Sequence, residues 1–217
     1  MKNLLILLTI SFFSNLTTNA QVFNPGLIAG FGFSQVDGDN FISSNVFDGY
    51  NKFGLIAGGF INTKVSKNSL IQMEIYYIKK GSFNIVNPNI ISYKRFDLTL
   101  NYIEIPTLIR FKGGNLINED KLMFEVGLYF ARFLNYSVKN EFGKVNRQFY
   151  QTFNENPFNK GDLGFLIGIH YQLSKHLALN YRFKRSIIPI RIIRDSNRSQ
   201  KWYNRGINLT LRYQLYK

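Results

Sequence analysis

The sequence predicts an all-β protein, namely an eight-stranded antiparallel up-and-down transmembrane β-barrel with short periplasmic turns and long outer loops. Three observations support this fold class. Apolar residues recur at every second position from Gly26 to Tyr216, which is the period of a strand with two unlike faces. They fall into segments of roughly ten residues, the length of a strand that crosses a bilayer at a tilt. The connections between the segments alternate in length along the chain.

The chain begins with a segment that is typical of a secretory signal peptide. Lys2 supplies a positive charge, Leu4–Phe13 forms a short apolar run, and Thr18-Asn19-Ala20 ends in small residues. We predict a leader at residues 1–20 and one barrel domain at residues 21–217. The apolar run is too short for a membrane-spanning helix, and no later stretch is long enough. The chain has no cysteine, which excludes a lipoprotein anchor and a disulfide scaffold.

Each expected strand is a run of alternating residues bounded by turn formers. The last is the clearest, because Ile207, Leu209 and Leu211 share one face while Asn208 and Thr210 share the other. The first strand carries glycines on one face, which leaves room for bulky neighbours inside a narrow barrel. The expected strands are 26–34, 53–65, 70–80, 96–112, 121–135, 162–173, 176–186 and 202–216.

The connections between these strands differ in length and composition. Ser66–Ser69 and Ser174-Lys175 are tight hairpin links, and residues 113–120 form a third short turn. The long connections are 35–52, 81–95, 136–161 and 187–201. Outer-membrane barrels show this asymmetry, with tight turns on the periplasmic side and long loops outside. An even number of strands then places both chain ends on the periplasmic side.

The composition agrees with an exported membrane protein. Aromatic residues make up 16% of the chain, which suits strands and the belts at the two membrane interfaces. The formal charge of +14, from 27 Lys and Arg against 13 Asp and Glu, favours anionic partners. For an exported protein these are outer-membrane lipid and lipopolysaccharide, and we expect no nucleic acid.

The pleat of the strands assigns charged side chains to the barrel interior. On each strand concerned, the apolar neighbours take the outer face and the charged residue takes the inner one. The predicted lumenal charge network consists of Glu74, Glu104, Glu125, Arg110, Arg182 and Arg212. An eight-stranded barrel is just wide enough for side chains to fill, so buried charges there must pair. We expect Glu104 to be held by one of the three arginines.

We interpret this network as a structural plug that closes the lumen. The alternative is a gate or a proton-linked path. Three glutamates can also suggest acid–base catalysis, but a packed lumen offers no cleft for a substrate. Two histidines without cysteine do not make a metal site. We therefore predict no enzymatic activity and no cofactor. Pro106 lacks a backbone donor, and we expect a bulge or bend of the fourth strand there.

The last long connection has the highest density of positive charge in the chain. Its cations stand against a single acidic residue, Asp195. The candidate anion-binding or glycan-binding residues are Arg185, Arg191, Arg194, Arg198 and Lys201. On an external loop these side chains face lipopolysaccharide phosphates and surface polysaccharide. The alternative is a solvated loop without a specific ligand.

The fourth strand contains the run Asn101-Tyr102-Ile103-Glu104-Ile105-Pro106 and leads into a turn at Gly113-Gly114. This run resembles the characteristic strand of the PorT-like outer-membrane β-barrel family of Bacteroidetes-type bacteria. The glycine-rich segments 26–38 and 54–60 and the start of the sixth strand at Asp162 resemble that family as well. The resemblance implies an eight-stranded barrel in the outer membrane. It also implies a family whose members mostly have no assigned activity, and whose namesake is an accessory component of a secretion system.

We expect a monomeric, non-enzymatic outer-membrane protein that acts as a structural, adhesive or assembly factor through its extracellular loops. Three alternatives stay open: a small passive pore, an accessory component of a protein-secretion system, and a soluble exported ligand binder of the lipocalin kind. The expected partner is a surface glycan or another membrane protein.

Overall fold

The computed structural model describes residues 23–38, 50–84, 93–113, 121–142, 157–195 and 198–215. The predicted leader lies outside the described residues, so the leader and the domain boundary at residue 21 stay predictions. In the part of the chain that is described, no helix has the length and apolar character needed to cross a membrane.

The described residues contain nine strands. Eight of them alternate apolar and polar residues, which presents one face to lipid and the other to the barrel interior. The nine strands are β1 (Asn24–Asp37), β2 (Lys52–Lys64), β3 (Ser69–Asn84), β4 (Tyr93–Lys112), β5 (Leu122–Phe142), β6 (Gly161–Gln172), β7 (Leu177–Ser186), β8 (Arg191–Asp195) and β9 (Arg198–Gln214).

Eight of these strands close into a ring. Strands β1 to β7 and β9 pair antiparallel in chain order, and β9 returns to pair with β1. The closing pairs run from Gly26 opposite Gln214 to Asp37 opposite Tyr203. Closure pairs both edges of the sheet. A free edge in the bilayer would be unfavourable, because its backbone N–H and C=O groups would have no hydrogen-bond partners. The predicted eight-stranded up-and-down barrel is confirmed.

The two ends of the barrel differ in the way that the sequence predicts. Residues 65–68 join β2 to β3, and residues 173–176 join β6 to β7, both through tight backbone hydrogen bonds such as Val65 N–H to Ser69 O at 3.0 Å. The connections at the opposite end are longer, as between β1 and β2 and between β5 and β6. The short-turn end is the periplasmic end of such a barrel.

The last long connection differs from the prediction. Residues 187–201 were expected to form a loop, but they contain β8 and the beginning of β9. Arg191 pairs with Trp202, and Asp195 pairs with Arg198, so the two strands form a hairpin beyond the ring. We call residues 187–202 the outer hairpin. Strands β4 and β5 are also longer than expected, and the additional residues lie at the same end of the barrel.

The outer surface of the ring is apolar and the inner surface is polar. Exposed apolar side chains on successive strands include Leu27, Leu55, Ile75, Val126, Leu128, Ile167 and Leu211. Near the extracellular end, the rings of Phe31, Phe33 and Phe53 lie 5.8 to 6.0 Å apart on this surface. A soluble lipocalin-like binder would have the opposite arrangement, with apolar side chains lining its cavity. That alternative is therefore wrong.

The expected bulge at Pro106 is also wrong. Pairing of β3 with β4 is interrupted opposite Ile105 and Pro106, but it resumes in the same register on either side. Pro106 itself pairs with Tyr129 of β5 and is buried. The absence of a backbone N–H at Pro106 thus interrupts the hydrogen bonds between β3 and β4 without changing their register. The two register shifts between β4 and β5 lie nearer the extracellular end, one between Tyr93 and Arg95 and one between Asn101 and Tyr102, where Leu134 of β5 is the extra residue.

Gly164 of β6 marks a point where an aromatic ring occupies the space of an absent side chain. It lies opposite Tyr129, and a Cβ at Gly164 would overlap the Tyr129 ring. We expect Gly164→Val to lower the free energy of unfolding by about 1–3 kcal/mol, because the ring must move in a packed interior. Urea unfolding in detergent micelles, followed by the gel shift between folded and unfolded barrel, measures this loss.

Gly59→Val is the matched control for this substitution. A Cβ at Gly59 meets only the backbone oxygen of Gly26, at 3.3 Å. The same change of residue should therefore cost much less at Gly59. Equal losses at the two positions would contradict the steric explanation.

Candidate functional site

The barrel interior brings together the six predicted lumenal residues. All six side chains are buried inside the ring. The pleat of the strands explains why these side chains point inward. On each strand, they lie an even number of residues from other buried side chains and one residue from lipid-facing ones. They do not form one network, however. They belong to two clusters stacked along the barrel axis, and the second cluster contains three charged residues that sequence reasoning did not select.

The first cluster, which we call the arginine cluster, lies nearer the periplasmic end. It consists of Glu74, Glu125, Arg110, Arg182 and Arg212. Arg182 is central: its Nη1 donates to Glu74 at 2.7 Å, and its Nε donates to Glu125 at 2.6 Å. Arg110 donates to Glu125 through Nε and Nη2, at 2.9 and 2.7 Å. Arg212 donates to Glu74.

Amide side chains complete the hydrogen bonding of the arginine cluster. Asn180 donates to Glu125 at 2.7 Å, and Gln72 accepts from Arg110 at 3.0 Å. The cluster nevertheless holds three guanidiniums against two carboxylates, so it carries one excess positive charge. The Nε and Nη1 of Arg212 have no hydrogen-bond partner among the described residues. Buried charge of this kind is costly unless nearby groups or water compensate it.

The second cluster, which we call the lysine cluster, lies nearer the extracellular end. It consists of Glu104, Asp162, Lys80 and Lys184. Lys80 lies 2.7 Å from Glu104 and 3.5 Å from Asp162, and Lys184 pairs with Glu104. The expectation that an arginine holds Glu104 was therefore wrong. The stagger of the strands brings β3 and β7 lysines to its level, while the arginines lie closer to the periplasm.

Aromatic side chains fill the space around the lysine cluster. The Tyr76 hydroxyl donates to Glu104 at 2.7 Å and accepts from Lys184 at 2.5 Å. The ammonium groups of Lys80 and Lys184 lie 4.5 and 4.7 Å from the centre of the Tyr129 ring, close enough for cation–π attraction. A cavity lined by both lysines and Tyr129 has a volume of about 10 Å³, room for about one water molecule.

His170 lies inside the barrel beside the arginine cluster. Its Nδ1 lies 3.1 Å from Asn180 and its Nε2 lies 3.2 Å from Gln172, so both ring nitrogens have amide partners. Within the described ranges, no three residues of the kinds that bind metals come together. A catalytic or metal-binding role for His170 therefore has no geometric support.

The outer hairpin rests on a buried apolar core at the extracellular end of the barrel. The Arg191 guanidinium packs on two adjoining rings, 5.1 Å from the centre of Phe158 and 4.8 Å from that of Trp202, and the two ring centres lie 6.3 Å apart. Backbone bonds of 2.8 Å join Asn159 to Ile190 and Ile190 to Trp202. Burial lowers the pKa of Arg191 to about 10, which leaves it protonated at neutral pH. The hairpin is thereby fixed to the barrel.

The predicted anion-binding residues are distributed differently from the prediction. The inclusion of Arg191 among exposed cations was wrong, because its side chain is fully buried. Arg185 is about half exposed and lies 3.8 Å from Asp37, and Lys201 is exposed. The side chains of Arg194 and Arg198 lie outside the described residues. Two of the five cations are thus available on the described outer surface.

Comparison with known proteins identifies the family of this fold. The family model described as an outer membrane protein beta-barrel domain matches residues 18–191. No curated protein matches the sequence. Three solved structures illustrate the similar folds. Neisserial surface protein A is 11% identical, with a TM-score of 0.49, and the match covers 88% of this chain and 97% of that one.

The outer membrane protein OprG of Pseudomonas aeruginosa is 10% identical, with a TM-score of 0.47, and the match covers 91% of this chain and 98% of that one. The attachment invasion locus protein Ail of Yersinia pestis is 8% identical, with a TM-score of 0.45 and coverage of 89% and 99%. The family model spans most of the sequence, so the chain belongs to the outer membrane protein beta-barrel domain family and is a protein of the outer membrane.

Proposed function

We propose that this protein is a non-enzymatic outer-membrane barrel that acts as a structural, adhesive or assembly factor through its extracellular side. The observation that carries the proposal is the outer hairpin, which is held on a buried core of Phe158, Arg191 and Trp202. A hairpin fixed in this way presents the exposed Lys201 in a constant geometry, close to Arg185 at the extracellular end of β7. Binding to a partner then costs less conformational entropy than binding by a flexible loop.

The filled barrel interior supports the same proposal, because it disfavours the alternative of a passive pore. The arginine and lysine clusters occupy successive levels of the lumen, and the cavity between Lys80, Lys184 and Tyr129 is only about 10 Å³. A passive pore needs a continuous water-filled path, which an eight-stranded barrel filled with side chains does not offer. We therefore rank the pore below the surface function. Planar-bilayer recording of the purified protein should give no stable conductance steps.

The surface function is tested on intact cells with fluorescent heparin as an anionic glycan probe. Arg185→Gln combined with Lys201→Gln should reduce bound heparin about threefold or more, because two exposed cations are lost. The control is Lys64→Gln with Lys67→Gln, which removes two charges at the periplasmic end and should leave the signal unchanged. Equal signals from the Arg185→Gln, Lys201→Gln variant and the parent would contradict anionic glycan binding at the extracellular end of the barrel.

Within the outer-membrane family, we propose placement in the PorT-like branch of Bacteroidetes-type bacteria, on the run from Tyr102 to Pro106. A role as a secretion accessory depends on that placement. We further propose that the protein is monomeric and that lipopolysaccharide surrounds its outer half. Light scattering of the purified protein in detergent tests the oligomeric state.

A further inference from the structure

The periplasmic mouth of the barrel contains a cavity with a charge pattern that the plug does not require. The cavity has a volume of about 570 Å³ and opens at the short-turn end. This size lies in the range of ligand pockets, about 300–1,000 Å³. We call it the vestibule. Its blind end is formed by Arg110 and His170, which adjoin the arginine cluster.

Lysines from the three short-turn regions converge on the vestibule. They are Lys64, Lys67, Lys121 and Lys175; Lys112 also lines the vestibule but already interacts with another group. None of the described residues that line the vestibule carries a carboxylate. The arginine cluster at the blind end adds one excess buried positive charge. A concave site lined by one sign of charge concentrates ions of the opposite sign.

The wall between the lysines is rich in carboxamide side chains. Gln172 already uses both donor hydrogens, on the carbonyls of Ser174 and Leu177. Asn62 donates to Gln214 at 3.1 Å, and Gln214 donates to the Pro25 carbonyl at 3.3 Å, so Asn62 and Gln214 each keep one donor hydrogen and at least one oxygen lone pair. Groups that both donate and accept complement a peptide backbone. Phosphate offers only acceptors and its charge is compact, whereas the lysines are spread around the rim.

We propose that the vestibule binds an acidic peptide segment of a periplasmic protein. The peptide's carboxylates pair with the rim lysines, and its backbone bonds to the carboxamides of the wall. Arg110 does not hold the ligand by a bidentate bond, because its Nε and Nη2 already donate to Glu125. It contributes charge at the blind end. This site is separate from the outer hairpin, so the proposed surface function and this proposal can fail independently.

The test uses the whole protein in neutral detergent micelles and a fluorescein-labelled hexaglutamate peptide. Fluorescence anisotropy at low ionic strength should show binding that weakens as salt is added. The triple variant Lys64→Gln, Lys67→Gln, Lys121→Gln should bind about tenfold more weakly, since three charge contacts are lost. Gel-shift assays on the heated and unheated variant check that the barrel is folded.

A matched control removes three positive charges elsewhere. Lys79→Gln, Lys139→Gln and Lys160→Gln lie toward the extracellular end, on β3, on β5 and before β6. Measured at about 0.1 M salt, where the Debye length is about 10 Å, this variant should bind the peptide within about twofold of the parent, because charges at the far end of the barrel are then screened. Equal weakening by the two triple variants would mean nonspecific attraction to a basic protein and would overturn the proposal.

Two further experiments on the parent protein distinguish an acidic peptide from other anionic ligands. Unlabelled hexaglutamate should displace the probe at lower concentration than tripolyphosphate does; the reverse order would assign the vestibule to phosphate and overturn the proposal. A hexaglutamate peptide that carries a benzophenone should cross-link to tryptic fragments around residues 62–72 and 110–123. Cross-links confined to the outer hairpin would also overturn it.

Discussion

Glu125→Gln is expected to lower the free energy of unfolding by ~3–5 kcal/mol. Glu125 accepts bonds from Arg110, Arg182 and Asn180, and it is buried inside the barrel. Glutamine keeps the size of the side chain but removes its charge. The arginine cluster would then hold three guanidiniums against the single carboxylate of Glu74. Urea unfolding of the purified barrel in detergent measures the loss.

A second substitution separates charge imbalance from general damage to the interior. In the Glu125→Gln variant, Arg110 loses its only ion-pair partner among the described residues. Adding Arg110→Gln removes this unpaired cation. The double variant should be more stable than Glu125→Gln alone. Asp37→Asn is a rim control, since Asp37 lies 3.5 and 3.8 Å from Arg205 and Arg185, and it should cost less than about 1 kcal/mol. A double variant less stable than the single one would contradict the charge argument.

Glu104→Gln is expected to produce the second large effect, a loss of about 3 kcal/mol. Glu104 is the ion-pair partner of Lys80 and Lys184, and it accepts a bond from Tyr76. The expected loss lies at the lower end of the range for broken buried pairs because Lys80 retains Asp162 at 3.5 Å. The unfolding temperature of the barrel should fall accordingly.

Adding Lys184→Met to Glu104→Gln should recover at least part of the lost stability. Methionine fills a similar volume and removes the ammonium group that the first substitution leaves without its carboxylate. Binding of heparin by the outer hairpin should be the same in all three proteins, because the lysine cluster lies inside the ring. If Glu104→Gln unfolds at the temperature of the parent, the lysine cluster does not stabilise the barrel.

The sequence was sufficient to predict the ring and the direction of its inner side chains. A period of two residues assigns Glu74, Glu104 and Glu125 to one face without any knowledge of the partner strands. The pairing of charges across the lumen depends on the stagger and tilt of the strands. The two-residue pattern gives no information about either. Glu104 was therefore assigned the wrong partners. Lys80 and Asp162 have the inward parity, but each lies at the end of an expected strand and was not selected.

The outer hairpin shows a different limit of sequence reasoning. Residues 187–201 are dense in charge and contain Pro189, which indicates a loop. What makes β8 a strand is its pairing with β9 and the packing of Arg191 on the adjoining rings of Phe158 and Trp202. These contacts join residues that are far apart in the chain. From composition alone, Arg191 is expected to be an exposed cation. Its aliphatic chain and planar guanidinium are nevertheless well suited to burial against aromatic rings.

The closure of the ring through β1 and β9 has a consequence for how the protein reaches the membrane. Gly26 pairs with Gln214, so the last seam forms only when nearly the whole chain has been delivered. Before that moment, Glu74 on β3 has no access to Arg212 on β9, and an open sheet in lipid would expose both charges. Arg110 and Glu125 lie opposite each other on β4 and β5 and can pair in an open sheet, but the pair between Glu74 and Arg212 needs the closed ring. The ion pairs across the lumen therefore make an incomplete barrel unfavourable in the bilayer.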